Sequence, residues 1–173
     1  VTDVSALAGC ASLHTLYLSG SGVTNVSALA GCASLHTLDL SGSGVFNVSA
    51  LAGCASLHTL DLTSCDEITD VSELEGCPSL HTLNLSYCRG VTDVSALAGC
   101  ASLHTLYLTS CDEITDVSEL EGCDSLHTLI LRSCHSVTDV SALAGCASLH
   151  TLDLRDCVGV TDVSALAECA SLH

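Results

Sequence analysis

The stretch that decides the fold is LHTLDLTSCDEITD, at Leu57–Asp70, because versions of it return along the whole chain. The same pattern occupies Leu103–Asp116 and Leu126–Asp139, where Val137 replaces Ile. The repeating units begin at Val1, Val23, Val45, Ile68, Val91, Ile114, Val137 and Val160. Successive starts are 22, 22 and then five times 23 residues apart. Such a period predicts stacked layers that bury their apolar sides against one another.

The spacing of apolar residues changes within each unit. Leu51, Cys54 and Leu57 are three residues apart, which suits a 3₁₀ or short helical turn. Leu60 and Leu62 are two apart and flanked by polar residues, which suits a strand buried on one face. We therefore expect seven parallel strands, centred on Leu16, Leu38, Leu60, Leu83, Leu106, Leu129 and Leu152.

The length predicts one domain over residues 1–173, with about seven full repeats and a partial eighth. Aromatic residues make up 2%, and Met and Trp are absent, as expected for a core of one regular layer. Val1 opens with the ordinary unit sequence, and Val160–His173 follows it up to Leu172. Neither end shows a capping segment, so we expect a fragment of a longer array whose end layers favour head-to-tail self-association.

The charge limits the classes of partner. The formal net charge is −17, with three Arg and no Lys. Nucleic acids and anionic membrane surfaces both require cationic contacts and are disfavoured. No apolar run approaches the length of a membrane span, so membrane insertion is not expected. A protein partner with a basic surface is favoured.

The pattern L-x-x-L-x-L-x-x-C-x-x-I-T-D resembles that of leucine-rich repeat proteins. The Cys at its ninth position resembles the cysteine-containing class, whereas the unit length and the phrase VSALAG are similar to the internalin type. Repeats in protozoan parasite proteins are also similar. The resemblance implies an α/β solenoid, a right-handed curved superhelix. Its parallel β-sheet would line the concave face, with short 3₁₀ or α turns on the convex face.

Thirteen Cys fall into two sets. Eight lie three residues before a Leu and are expected to be buried, whereas five lie in the turn after a strand, where Ser21 and Ser43 stand in the first two units. Because Ser and Cys share a side-chain donor, the second set predicts a ladder of hydrogen bonds to a neighbouring carbonyl. Disulfides and zinc are the alternatives, but the odd count and the absence of C-x₂-C favour free thiols. Free thiols without a targeting segment favour a cytoplasmic location.

Two polar ladders accompany these units. His14, His36, His58, His81, His104, His127 and His150 each precede a strand, and His173 would begin an eighth. Stacked rings are the favoured interpretation, with a shared divalent metal as the alternative. Asp or Asn precedes each V-S-x-L and is interpreted as a helix N-cap, with a calcium ladder as the alternative.

The copies differ chiefly at positions that point away from the core. Differences on a constant framework indicate a binding face, although neutral drift at exposed sites has the same effect. The expected partner-binding residues on the concave face are Tyr17, Asp39, Asp61, Asn84, Tyr107, Ile130, Asp153, Tyr87, Arg132 and Arg155.

No catalytic, metal or cofactor motif is recognised, so an enzyme is not expected and no cofactor is assigned. The favoured function is a non-catalytic protein-interaction scaffold. The alternatives are a structural or surface-assembly solenoid that stacks head-to-tail and, through the Thr ladder beside the His residues, ice binding.

Overall fold

A computed structural model of the protein describes residues 1–172, so the predicted ladder position His173 lies outside the described residues. Seven three-residue strands form one parallel sheet in chain order. Their register is constant, with Thr beside Thr and Leu beside Leu throughout. The strands are β1 Thr15–Tyr17, β2 Thr37–Asp39, β3 Thr59–Asp61, β4 Thr82–Asn84, β5 Thr105–Tyr107, β6 Thr128–Ile130 and β7 Thr151–Asp153. Each is centred on the Leu that the sequence predicts.

The apolar triplets form 3₁₀ segments, as their three-residue spacing predicts. Each segment ends at the Gly, Glu or, in the first unit, Leu that closes its S-A-L-like phrase. The segments are η1 Ser5–Leu7, η2 Ser27–Gly31, η3 Ser49–Gly53, η4 Ser72–Gly76, η5 Ser95–Gly99, η6 Ser118–Gly122, η7 Ser141–Gly145 and η8 Ser164–Glu168.

Strands and 3₁₀ segments form two separate rows. Within residues 1–172, strands contact neighbouring strands and 3₁₀ segments contact neighbouring 3₁₀ segments, with the apolar core between the rows. Leu51, Leu57, Leu60 and Leu62 of one unit are all completely buried. The sheet therefore presents an open face on the side opposite the 3₁₀ row.

The Asp and Asn residues that were predicted as N-caps lie one position before the N-cap of each 3₁₀ segment. Asp70 Oδ1 accepts a hydrogen bond from the Ser72 N–H at 2.8 Å, whereas the N-cap residue of η4 is Val71. A carboxylate two residues before the donor makes an Asx turn, and the short 3₁₀ segment begins inside that turn. This hydrogen bond lowers the pKa of Asp3, Asp70, Asp116, Asp139 and Asp162.

The turn after each strand has a left-handed residue. Gly20 and Gly42 occupy this position in the first two units, both with φ of 62°. The later units place side chains there at φ between 57° and 64°: Ser64, Tyr87, Ser110, Ser133 and Asp156. Such conformations cost non-glycine residues free energy. The sequence pattern gives no signal of this strain, because Ser, Tyr and Asp stand where Gly would indicate a left-handed residue.

The outer layers are less buried than the interior ones. Leu16 in β1 and Leu152 in β7 are partly exposed, whereas Leu106 in β5 is completely buried. The prediction that the end layers expose leucines is confirmed for these residues.

Candidate protein-binding face

The third residue of each strand forms a row on the open side of the sheet, which we call the sheet face. Because side chains alternate along a strand, these residues point away from the buried central Leu. Parallel pairing aligns them directly from one strand to the next. The sheet face consists of Tyr17, Asp39, Asp61, Asn84, Tyr107, Ile130 and Asp153.

Hydrogen bonds from two residues further along fix the acidic side chains of the sheet face. Asp39 Oδ1 accepts from the Ser41 N–H at 2.9 Å and from Ser41 Oγ at 2.7 Å. Asp61 Oδ1 likewise accepts from the Thr63 N–H at 2.8 Å and from Thr63 Oγ1 at 2.6 Å. These bonds orient two carboxylates that are neighbours in the register of β2 and β3. Their second oxygens have no hydrogen-bond donor within the described part of the chain.

The other end of the face holds two cations beside two anions. The Arg155 guanidinium donates to Asp153, with Nε 2.8 Å from Oδ1, and lowers the pKa of that carboxyl to about 2. Arg132 Nε lies 3.7 Å from Asp156 Oδ2. Both pairs are solvent-exposed on at least one side, so each contributes little to folding stability. Their main effect is to bring the local charge close to neutral.

An open groove of about 540 Å³ lies over β4–β7. Tyr107 and Ile130, which pair in the register of β5 and β6, line it together with Tyr87. Hydroxyl groups, the two arginines and Asp153 complete its lining, and Asp156 lies just outside it beside Arg132. The remaining lining residues are Ser86, Thr109, Ser110, Arg132, Ser133, Asp153 and Arg155.

The structure brings six of the ten predicted residues together in this groove: Tyr87, Tyr107, Ile130, Arg132, Asp153 and Arg155. Asp39, Asp61 and Asn84 lie on the sheet face but outside the groove. Tyr17 also lies outside the groove, on the outermost strand β1, and is 69% exposed. The hydroxyl lining was absent from the predicted set. The sequence carries a signal for this lining, since Ser or Thr lies two residues after the third strand residue in five of the seven units.

Tyr87 enters the groove from a strained turn. Its φ is 64° and its side chain is 43% exposed. A large side chain held in the left-handed region at an exposed site is uncommon in proteins. The sequence analysis predicts Tyr87 at this face, and the structure adds that its backbone is held in a strained conformation.

The histidines stack, as the favoured interpretation predicts. Ring centroids of successive pairs from His14 to His150 lie 4.6–4.8 Å apart. Nδ1 of His36, His58, His81, His104 and His127 lies 3.2–3.4 Å from the adjacent Thr Oγ1. Parallel rings direct their nitrogen lone pairs in parallel, whereas ligands of one zinc ion must converge on it at about 2.0–2.1 Å. Among residues 1–172, no three His, Cys, Asp or Glu side chains are grouped to hold a metal ion.

Both cysteine sets form hydrogen-bond ladders, although the sequence predicted one. Cys65 Sγ donates to Leu40 O at 3.1 Å, as predicted for the turn set. Cys100 of the other set donates to Leu74 O at 3.2 Å, so it too bonds the preceding layer. All thirteen thiols are unpaired. Burial raises the pKa of Cys77 to about 11 and of Cys88 and Cys100 to about 12, which keeps these groups protonated and unreactive.

Two family models match the chain. A model of two leucine-rich repeat copies matches residues 55–99 and 78–122, and a single-repeat model matches residues 145–167. A comparison with curated proteins finds no match.

Several solved structures share the fold. Internalin C2 of Listeria monocytogenes is 32% identical, with a TM-score of 0.84 over 99% of this chain and 74% of its own. Internalin F of the same organism is 26% identical, with a TM-score of 0.80 over 99% of this chain and 56% of its own. A leucine-rich repeat protein of Leptospira interrogans, 21% identical, covers 88% of this chain and 39% of its own at a TM-score of 0.79, and shows the fold alone.

The chain belongs to the leucine-rich repeat family. Its fold is the curved solenoid of that family, with the sheet on the concave side and 3₁₀ turns on the convex side. Proteins of this family typically act as interaction scaffolds without catalysis. Within residues 1–172, no helix has the length and apolar character to cross a membrane.

Proposed function

We propose that the protein is a non-catalytic scaffold that binds a protein partner through its sheet face. The observation that carries this proposal is the contrast within each strand between a constant Leu on the core side and a varying neighbour on the open side. The varying side chains include Tyr and Ile beside hydroxyl groups and Arg, a mixture suited to protein recognition. The groove gives such a partner a concave place to bury an apolar side chain.

The proposed partner has a basic surface. The whole chain has a formal net charge of −17, and its three Arg leave most carboxylates without a cation. Asp39 and Asp61 add two neighbouring carboxylates to the sheet face itself. Such a field raises the rate of encounter with cationic partners and disfavours anionic ones.

A peptide selection tests the proposal without assuming a ligand. Random peptides displayed on phage are selected on the folded protein, and the survivors are tested on Tyr107→Ala and Ile130→Ala. We expect their affinity to fall at least tenfold on both variants. Phe46→Ala, which removes an aromatic ring that is 57% exposed off the sheet face, is the control and leaves affinity unchanged. Selected peptides that bind the unaltered protein and all three variants with equal affinity would contradict the proposal.

The unpaired thiols support a reducing compartment such as the cytoplasm as the place of action. Thirteen Cys without a disulfide are typical of intracellular proteins. We expect a thiol reagent to label fewer than half of them in the native protein and all of them after denaturation. Disulfides in protein isolated without reductant would contradict this location.

Head-to-tail stacking is the second candidate function, favoured by the partly exposed leucines of β1 and β7. The two outer strands have unpaired edges within the described sheet, and these edges are complementary rather than identical. Contacts through the faces near Leu16 and Leu152 would therefore propagate. We expect the sedimentation coefficient of the 173-residue polypeptide to rise with concentration over a hundredfold range. A strict monomer throughout that range contradicts this candidate.

A further inference from the structure

The sheet face has two chemically different parts at a fixed separation. Asp39 and Asp61 present carboxylates over β2 and β3. Tyr107 and Ile130 form the apolar centre of the groove over β5 and β6. The midpoints of these two pairs are three strands apart, and strands in a sheet are spaced by about 4.8 Å. The acidic and apolar parts are therefore separated by roughly 14 Å across the strands.

The acidic part lacks a cation of its own. Arg132 lies beside Asp156, and Arg155 donates to Asp153, so the two arginines of the face are engaged at its other end. Ser41 and Thr63 orient Asp39 and Asp61 through one oxygen of each carboxylate. The other oxygen of each is left to accept from a bound cation. Charge complementarity thus assigns a basic side chain of the partner to this part.

The groove selects an apolar side chain. Its centre combines an aromatic ring with a β-branched aliphatic group, and its arginines are balanced by Asp153 and Asp156. Because the local charge is near neutral, a charged side chain placed there would lose hydration without gaining a counter-charge. A Leu or Phe side chain instead removes apolar surface from water.

Asn84 lies on β4, between the two parts. Its Oδ1 atom accepts the Ser86 N–H at 3.0 Å, which leaves the Nδ2 group as a donor. A peptide that crosses the strands passes over this group, which can bond a backbone carbonyl of the peptide. The three sites lie in one line across the sheet.

We propose that the sheet face binds an extended peptide segment in which a basic residue precedes or follows an apolar residue by four positions. This inference rests on the proposed function and adds the spacing of the ligand. An extended chain advances about 3.3–3.6 Å per residue, so four residues span the separation. Because side chains alternate in an extended chain, an even separation directs both toward the sheet, and separations of three or five direct one of them away.

The test uses twelve-residue peptides in which one Arg and one Leu stand in a background of Ser and Thr. The peptides differ only in the number of positions between the Arg and the Leu. Arg occupies the fourth position, and Leu occupies the seventh, eighth or ninth. Binding is measured by NMR titration of the ¹⁵N-labelled protein. We expect the four-residue spacing to bind at least threefold more tightly than both others, with the largest shifts around Asp61 and Ile130. The reversed sequences are included because the chain direction is free.

Two variants with the same loss of charge provide the control. Asp61→Asn should remove the advantage of Arg over an uncharged residue, whereas Glu119→Gln, on the 3₁₀ side, should leave it intact. Unchanged amide spectra elsewhere show that both variants are folded. Equal affinities for the three spacings, a preference for an odd spacing, or no detectable shifts at millimolar peptide would each overturn the inference. If the phage-selected peptides still depend on Tyr107 while the spacings are equivalent, the proposed function stands and the spacing rule fails.

Discussion

Leu106 and Tyr107 are neighbours in β5, yet their surroundings have little in common. Leu106 is completely buried between Leu83 and Leu129 of the adjacent strands. Tyr107 is flanked by Asn84 and Ile130, two side chains unlike it and unlike each other. Stacking requires matching shapes on the core side because each layer packs on the next, and it makes no such demand on the sheet face. The difference places the stacking contacts on one side of each strand and leaves the other side free for the recognition proposed above.

The largest effect is expected from the core side. Leu106→Ala should lower the free energy of unfolding by about 2–5 kcal/mol, because it leaves a cavity in the leucine stack. Chemical denaturation monitored by circular dichroism measures the change. Leu16→Ala is the comparison, since Leu16 is already partly exposed and should cost less. Equal losses at the two positions would mean that the layers do not pack as described.

The thiol ladders should give the next largest effect. Cys111 Sγ donates to Leu85 O at 3.1 Å in a buried site. Cys111→Ala should destabilise the protein by about 1–2 kcal/mol, because the packing of the thiol is lost and the Leu85 carbonyl keeps only one of its two donors, the Cys88 N–H. Cys111→Ser keeps a side-chain donor at the position that Ser21 and Ser43 occupy in the first two units, and should recover part of the loss. A larger loss for Ser than for Ala would show that the thiol acts only as an apolar group.

The left-handed turns distinguish the first two units from the later ones. Gly42→Ala should cost about 1 kcal/mol, because φ is 62°, whereas a new Cβ would meet only the Gly20 backbone at 3.9 Å, an ordinary van der Waals distance. Ser64→Gly, in the next unit, should not destabilise, since relief of strain offsets the greater freedom of the unfolded chain. Thermal unfolding of both variants checks the pair. A neutral Gly42→Ala would remove the evidence for strain at Tyr87.

The histidine ladder should make stability depend weakly on pH. Partial burial, and then the charges of neighbouring rings, lower the pKa of His36, His81 and His127. Between the ordinary value near 6.5 and these lowered values, the unfolded chain binds more protons than the folded one. Stability is therefore complete above pH 6.5 and should fall as the pH drops below it. His81→Gln should reduce this slope, and a melting temperature that rises on acidification over the same range contradicts the assignment.

Much of the fold follows from the sequence because stacking imposes it directly. Leu60 and Leu62 predict the strand and its buried side, and Leu51, Cys54 and Leu57 predict the 3₁₀ segment. The left-handed turn was missed because Ser64, Tyr87 and Asp156 carry no glycine signal, and tertiary packing imposes their conformation. The groove was not predicted, because its shape depends on how the variable side chains of neighbouring strands pack beside one another. The position of the Asx turn depended on where a short helix begins, which sequence patterns give only to within a residue or two.

Tyr107→Ala tests the separation of stability from recognition most directly, because it alters the sheet face beside an intact Leu106. Because Tyr107 is only partly buried, the free energy of unfolding should fall by about 1 kcal/mol, well short of the loss expected for Leu106→Ala. Affinity for the phage-selected peptides should fall at least tenfold in the same preparation. A stability loss comparable to that of Leu106→Ala, or full retention of peptide binding, would contradict the account.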